Sequence, residues 1–175
     1  MSAGAADVAV LVSPGAGRGH GTALAGAVLG AFQDAGFSPE LLPATTGAEA
    51  EHQAGEAVAA GTRAVVAVGG DGTVHAALQA VAGTTTPLAL VPAGTGNDLV
   101  RALGGLSDPV AAARAAAEDL KASSVRTVDA GRTGDRWWAT VLCCGFDSAV
   151  SDRANRLRWP RGRRRTRRCC RRRPS

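Results

Sequence analysis

Short apolar runs alternate with amphipathic stretches along most of this chain. The apolar runs predict strands buried on both faces, at Val8–Ser13, Phe37–Leu42, Arg63–Val68 and Pro87–Val91. The amphipathic stretches predict helices at Thr22–Ala35, Ala48–Ala60 and Val74–Val81, a short one ending at Leu103, and one at Asp108–Ala122. Further strands are predicted at Val125–Ala130 and Trp137–Leu142. This alternation predicts an α/β fold with a mostly parallel sheet and helices on both faces.

Glycine-rich segments follow the first, third and fourth predicted strands. They lie at Pro14–Gly21, Gly69–Thr73 and Pro92–Asp98. In parallel sheets, ligands bind beyond the carboxyl ends of the strands. We therefore expect the three loops to gather at one edge of the sheet and to form a single site.

The middle loop, Gly69-Gly70-Asp71-Gly72-Thr73, has the composition of a phosphate-binding turn. Glycines remove the Cβ atoms that would hold a ligand away from the backbone. The start of the following helix offers free N–H groups and the positive end of its dipole. A tight strand-to-helix turn needs only one glycine, so a purely structural explanation is weaker. The Asp71 carboxylate beside phosphates suggests a divalent cation.

The flanking loops are less specific on their own. The first, Ser13-Pro14-Gly15-Ala16-Gly17-Arg18-Gly19, is consistent with an ordinary turn. It is not a dinucleotide fingerprint, because His20 occupies the third glycine position, and no GK[ST] triplet marks a Walker A loop. In the third loop, Asn97 or Asp98 can cap the next helix, but capping leaves Thr95 between two glycines unexplained.

The histidines and tryptophans carry weaker signals. His75, just inside the helix after the middle loop, either contacts the nucleotide or faces the next helix. Nothing in the sequence marks it as a general base. His20 and His52 are typical of loop and surface positions. Trp137 and Trp138 alternate along a predicted strand, so one should pack in the core and the other should be partly exposed.

Composition is that of a globular protein, with 45% hydrophobic residues among 175. No apolar run approaches the roughly 20 residues of a membrane helix, and Met1–Asp7 lacks the basic region of a secretory signal. The four cysteines form two adjacent pairs, Cys143-Cys144 and Cys169-Cys170, which suit neither disulfides nor zinc. We therefore expect a reduced, cytoplasmic setting.

The net charge of +5 is the sum of an acidic segment and a strongly basic one. Residues 1–150 contain seven arginines and one lysine against fourteen acids, whereas residues 151–175 contain twelve arginines and one acid. We predict a nucleotide-binding domain at 1–150 and an Arg-rich, disordered tail at 151–175. The acidic body gives no support for a nucleic-acid-binding surface.

Two loops together resemble a known family. Gly69-Gly70-Asp71-Gly72-Thr73 with Pro92-Ala93-Gly94-Thr95-Gly96-Asn97-Asp98 closely resembles the catalytic domain of the diacylglycerol kinase family, whose fold is that of NAD kinase and diacylglycerol kinase. Ser13-Pro14-x-Ala16-Gly17-x-Gly19 is similar to its first motif. Gly145-Phe146-Asp147 and Arg153–Gly162 resemble the bacterial lipid kinase branch.

The resemblance implies transfer of the ATP γ-phosphate to a lipid hydroxyl, with Mg²⁺. It implies nucleotide contacts in the three loops and before the second helix, at Ser13, Pro14, Gly15, Ala16, Gly17, Thr45, Gly69, Gly70, Asp71, Gly72, Thr73, Val74, His75, Gly94, Thr95, Gly96 and Asn97. Asp71 is the predicted catalytic acid, acting at the phosphates directly or through Mg²⁺; no metal ligands are assigned. Ser13 replaces the usual asparagine, and His75 stands where Asn or Glu is common.

The resemblance also implies a second, β-rich domain that would close the cleft, contact the lipid and carry a general base. That domain has no counterpart before Ser175, so we expect ATP binding and weak or absent kinase activity. The Arg/Cys run at 166–175 suggests a frameshift after Arg163–Arg165; a genuine tail that binds anionic lipid or nucleic acid is the rival interpretation.

Two other functions stay open. NAD kinase shares the Gly-Gly-Asp-Gly-Thr loop, although the Pro-x-Gly-Thr-x-Asn-Asp loop favours the lipid branch. A non-catalytic nucleotide-binding protein could use its basic tail as a membrane or partner anchor. For the lipid kinase we expect a cytoplasmic protein that meets its substrate at the inner membrane face.

Overall fold

The computed structural model describes residues 7–13 and 21–140. In chain order these form β1 (Val8–Val12), α1 (Gly21–Asp34), β2 (Pro39–Leu42), α2 (Gly47–Ala59), β3 (Ala64–Gly69), α3 (Asp71–Val81), β4 (Leu88–Pro92), α4 (Asp98–Ala102), α5 (Pro109–Lys121), β5 (Gly131–Thr133) and β6 (Arg136–Trp138). Among these helices, none is long and apolar enough to span a membrane. The predicted domain boundary at 150, the cysteine pairs and the tail lie outside the described residues.

Four strands form one parallel sheet in the order β2-β1-β3-β4. Along the central pair, Val8 lies opposite Ala64 and Val12 opposite Val68. This arrangement confirms the predicted α/β fold. Because all four strands run in the same direction, their carboxyl ends lie at one edge of the sheet.

The sheet is buried on both faces, as its continuous apolar strands predict. Val8, Val10, Val66 and Val68 pack on one side with Val28 and Phe32 of α1 and Ala113 and Ala117 of α5. Their neighbours along the same strands, including Ala9, Leu11, Val65 and Ala67, pack on the other side with α2 and α3. Burying one such valine contributes about 1.5–3 kcal/mol. The alternation therefore fixes which helices cover which face.

The predicted strand at Val125–Ala130 is wrong. These residues form no strand in the structure, and Val125 and Val128 are exposed. The pairing begins later, in a separate antiparallel hairpin in which Gly131 lies opposite Trp138. The apolar residues of 125–130 gave a strand-like pattern, but nothing in the described structure pairs with them.

The hairpin also corrects the expectation for Trp137 and Trp138, since neither joins the core and both are half-buried. The Trp138 ring covers Gly131, where a side chain would collide with it. The side-chain amide of Gln79 on α3 donates to the Trp137 carbonyl and accepts from its N–H, both at 2.9 Å. This pair of hydrogen bonds joins the hairpin to α3.

Candidate functional site

A cavity of about 410 Å³ lies at the carboxyl edge of the sheet. Its lining comes from the ends of β1 and β3, the segment after β2, and the starts of α2 and α3. The lining residues are Leu11, Val12, Ser13, Ala44, Thr45, Thr46, Gly47, Ala50, Gly70, Gly72, Thr73 and Ala76. No carboxylate is among them. The volume lies in the range of pockets that hold small ligands.

The start of α3 opens onto this cavity without a side-chain cap. Gly70 is the N-cap residue and makes no side-chain hydrogen bond. The N–H groups of Thr73 and Val74 already bond to the Gly70 carbonyl, at 3.0 and 3.1 Å. The N–H groups of Asp71 and Gly72, which come before them, have no partner within the helix. This helix start can therefore donate to an anion.

Gly72, in the first turn of α3, has no neighbour among the described residues at the place where a side chain would begin. A Cβ atom at this position would meet nothing within 4 Å, and the residue lines the cavity. Packing of the described residues therefore does not explain this glycine. A ligand that approaches the backbone would explain it.

The other glycines of the two loops are explained by close packing. A Cβ at Gly69 would collide with the Thr73 side chain, lying 2.7 Å from its Cβ. Gly70 and Gly94 face each other, and a Cβ on Gly70 would lie 3.2 Å from the Gly94 Cα. A Cβ on Gly96 would collide with the Asp71 carboxylate. These glycines let the second and third loops come together.

Asp71 links those two loops. Its carboxylate accepts hydrogen bonds from the backbone N–H groups of Asn97, at 3.0 Å, and Asp98, at 2.7 Å. Asp98 is the first residue of α4, so Asp71 caps that helix from a different part of the chain. A carboxylate also suits the positive end of the α4 dipole.

The prediction that Asn97 or Asp98 caps the next helix is confirmed for the position, which Asn97 occupies, but not for a capping bond from its side chain. Asn97 is the N-cap residue of α4, but its side chain makes no capping bond and its φ is 57°. The Asn97 amide instead accepts from the Gly94 N–H, at 3.2 Å, and donates to the Gly94 carbonyl, at 3.0 Å. The side chain thus closes the loop on itself, in a left-handed conformation that asparagine tolerates better than most residues.

The start of α2, which also lines the cavity, has a side-chain cap. Thr46 and Glu49 form a capping box, in which the Thr46 side chain accepts from the Glu49 N–H. Glu49 Oε2 accepts from the Thr45 hydroxyl at 2.7 Å, the Thr45 N–H at 2.8 Å and the Thr46 N–H at 3.3 Å. The Thr45 hydroxyl, followed by the backbone N–H groups, lowers the pKa of Glu49. Glu49 is therefore an anion at neutral pH.

The structure brings some of the predicted site residues to the cavity and leaves others away from it. Those that line it are Ser13, Thr45, Gly70, Gly72 and Thr73. Val74 is buried in the core, and the third loop (Gly94 to Asn97) contacts the site through Gly70 and Asp71. Pro14, Gly15, Ala16 and Gly17 lie outside the described residues.

His75 points to the hairpin rather than into the cavity. Its Nε2 lies 3.3 Å from Arg136 Nη2, and Arg136 forms an ion pair with Glu51 of α2 at 2.7 Å. The two predicted placements were contact with the nucleotide and a position facing the next helix, whereas the observed side-chain partner of His75 lies in the hairpin. The roles of Thr46 and Glu49 were not predicted, although the T-x-x-E spacing at 46–49 is a capping signal.

The described residues contain no group of three or more His, Cys, Asp or Glu side chains that could hold a metal ion. This does not disfavour Mg²⁺, which proteins commonly bind through one or two carboxylates together with substrate phosphates. Asp71 fits such a role, because each of its oxygens accepts one hydrogen bond and keeps a further lone pair.

Comparisons with known proteins agree with this geometry. Residues 7–133 match the family model described as the diacylglycerol kinase catalytic domain. Over 161 residues, the chain is 40% identical to the proteins named diacylglycerol kinase in two strains of Mycobacterium tuberculosis. This match covers 89% of the chain and 51% of the relatives, so the chain spans about half of their length.

The fold also matches a crystal structure of a diacylglycerol kinase from Bacillus anthracis. The TM-score is 0.57 and the sequence identity 26%. The match covers 65% of this chain and 43% of that one. Sequence and fold thus point to the same group of proteins.

Proposed function

Because the chain belongs to the diacylglycerol kinase catalytic domain family, we propose that it binds ATP in the cavity at the carboxyl edge of its sheet. We further propose that this cavity is the nucleotide side of a lipid kinase, which transfers the γ-phosphate to a hydroxyl group of diacylglycerol. The names of the relatives support the lipid branch over NAD kinase.

The observation that carries this proposal is the open start of α3. Gly72 lines the cavity with free space where a Cβ would be, and the helix has no side-chain cap. A phosphate group at this position would accept from backbone N–H groups and lie at the positive end of the helix dipole. The Thr73 hydroxyl also lines the cavity and would add a donor.

Phosphoryl transfer depends mainly on position and charge neutralisation. The oxygen of the lipid hydroxyl forms a bond to the γ-phosphorus, the bond from that phosphorus to the ADP oxygen breaks, and the hydroxyl loses its proton. In this scheme Asp71 is a positioning residue, because its carboxylate fixes the third loop against the start of α3. Bound Mg²⁺, held by phosphate oxygens and Asp71, would supply positive charge. No carboxylate of the described residues lines the cavity, so we assign none of them as the base.

Calorimetry tests the proposed binding of ATP, and a transfer assay tests the proposed kinase reaction. The chain is titrated with Mg²⁺-ATP, and γ-labelled ATP is then incubated with the chain and diacylglycerol in mixed micelles, or with NAD. We expect saturable ATP binding, and label in the lipid if the chain turns over. Failure to bind ATP would refute the nucleotide site. Label in NAD would favour NAD kinase, and binding without transfer to either acceptor would favour the non-catalytic alternative.

A further inference from the structure

The guanidinium group of Arg136, in the hairpin, contacts two helices at the same time. Its Nη1 donates to the Glu51 carboxylate of α2, at 2.7 and 2.9 Å. Its Nη2 lies 3.3 Å from His75 Nε2 on α3. Because a guanidinium group only donates hydrogen bonds, the His75 nitrogen is the acceptor. Arg136 therefore forms a side-chain bridge between α2 and α3.

The bridge lies about one helical turn after the cavity-lining start of each helix. Gly47 of α2 and Gly72 of α3 line the cavity, and a Cβ atom on either would meet nothing within 4 Å. Glu51 follows Gly47 by four positions, and His75 follows Gly72 by three. Residues three or four apart lie on the same face of a helix. Each partner of Arg136 thus lies on the same face of its helix as the open glycine.

The apolar contact between α2 and α3 is made near the cavity by small side chains. The helices pack against each other, and Ala50 and Ala54 of α2 belong to the same buried core as Ala76 and Ala77 of α3. A methyl group makes few dispersion contacts, and helix ends are among the parts of a protein that open most easily. A polar link close to the two helix starts therefore adds to their attachment.

The hairpin holds Arg136 in place for this link. The next residue, Trp137, exchanges two backbone hydrogen bonds with the side chain of Gln79 on α3, both at 2.9 Å. The hydrogen bond with Glu51 also raises the pKa of Arg136. The Arg136 and Glu51 side chains are 48% and 35% exposed, so the contribution of their ion pair should be moderate.

We infer that Arg136 is a positioning residue of the nucleotide cavity, which holds the first turns of α2 and α3 at the separation that ATP requires. This inference rests on the proposed function and adds to it a residue that does not line the cavity. Because the bridge acts on both walls, its loss should weaken binding whichever part of the nucleotide lies at each helix start.

Two substitutions break the bridge from its two ends. Arg136→Met and Glu51→Met each keep an unbranched side chain and remove one partner of the ion pair. Mg²⁺-ATP is titrated into each variant by calorimetry. We expect both variants to bind ATP about two- to fivefold more weakly, the size of an exposed ion pair. Tighter binding by Glu51→Met would overturn the inference, because loss of a negative charge alone favours an anionic ligand.

Glu56→Met is the matched control for charge. Glu56 is an exposed carboxylate on α2, and its partner His52 lies on the same helix, so the substitution leaves the bridge intact. We expect this variant to bind ATP at least as tightly as the unsubstituted chain. Equal affinities of Glu51→Met and Glu56→Met would contradict a role of the bridge.

The double variant tests whether Arg136 and Glu51 act through one bond. If they do, Glu51→Met combined with Arg136→Met should bind ATP no more weakly than Arg136→Met alone. Losses that add in the double variant would overturn the inference. A thermal melt of each variant shows that the fold is intact before affinities are compared.

The unsubstituted chain separates this inference from the proposed function. If it does not bind ATP, the proposed function is refuted and the inference with it. If it binds ATP and all of the variants bind equally well, only the inference about Arg136 is refuted.

Discussion

Replacing Gly72 by alanine should stabilise the protein and weaken ATP binding at the same time. Gly72 lies in the first turn of α3, and a Cβ there would meet nothing within 4 Å. Alanine is the better helix former and restricts the unfolded chain, so the free energy of unfolding should rise by about 0.5–1 kcal/mol. For a protein of this size, the melting temperature should rise by about 1–4 °C.

The new methyl group would occupy the space that a bound phosphate group requires. Loss of one hydrogen bond to a charged group costs about 1.5–3 kcal/mol, so the affinity for ATP should fall at least about tenfold. Calorimetry with Mg²⁺-ATP measures the affinity, and urea unfolding measures the stability. Stability and binding should therefore change in opposite directions.

Gly26→Ala is the matched control. Gly26 lies on the exposed side of α1, a Cβ atom there would also meet nothing within 4 Å, and the residue does not line the cavity. The substitution should give a similar gain in stability with no change in ATP affinity. If Gly72→Ala binds ATP as tightly as the unsubstituted protein, the phosphate does not approach this helix start. The proposed position of the phosphate at α3 is then refuted.

Three further perturbations test other contacts of the site. Gly69→Ala should destabilise the protein by about 1–3 kcal/mol through overpacking, and Thr73→Ala in the same chain should recover part of this loss; an unaltered urea midpoint in the single variant would contradict the packing. Asp71→Ala should cost about 0.5–2 kcal/mol, as for the loss of a helix cap, and the faster hydrogen exchange of the Asn97 and Asp98 N–H groups would identify the cause. Because the pKa of Glu49 is lowered by folding from its ordinary 4.5, its stabilising effect is present above that pH and is lost as the pH falls through the folded value. Glu49→Gln should therefore flatten the stability profile below about pH 4.5, and an unchanged acid limb would argue against the bond with Thr45.

The fold and the place of the candidate site could be predicted from the sequence because both follow from local patterns. Continuous apolar runs with helices between them specify a parallel sheet, and parallel strands bring their carboxyl ends to one edge. The second and third loops meet there as expected. The helices also begin and end within three residues of the prediction, and the largest difference is at α3, which starts at Asp71 rather than Val74.

The pairing of side chains with distant backbone could not be predicted in the same way. Asp71 accepts hydrogen bonds from Asn97 and Asp98, which lie 26 and 27 positions further along the chain. No local pattern in the sequence indicates such a contact. The strand pattern at 125–130 failed for a related reason, since a strand also needs a partner that the pattern does not identify. The hydrogen bonds between Gln79 and Trp137, which join α3 to the hairpin, could not be predicted from the sequence either.

The glycines show that one motif can contain two kinds of residue: those that pack against the protein and those that leave space for a ligand. Gly69 and Gly70 are small because Thr73 and Gly94 lie against them, and these contacts belong to the fold whether or not a ligand binds. Gly72 has no such neighbour in the described part of the chain, so its small size leaves space for a ligand in the cavity. A related sequence that keeps the first two glycines but replaces Gly72 should therefore keep the loop geometry and lose the nucleotide. Asp71 belongs with the first two glycines in this division, because its hydrogen bonds join the second loop to the third.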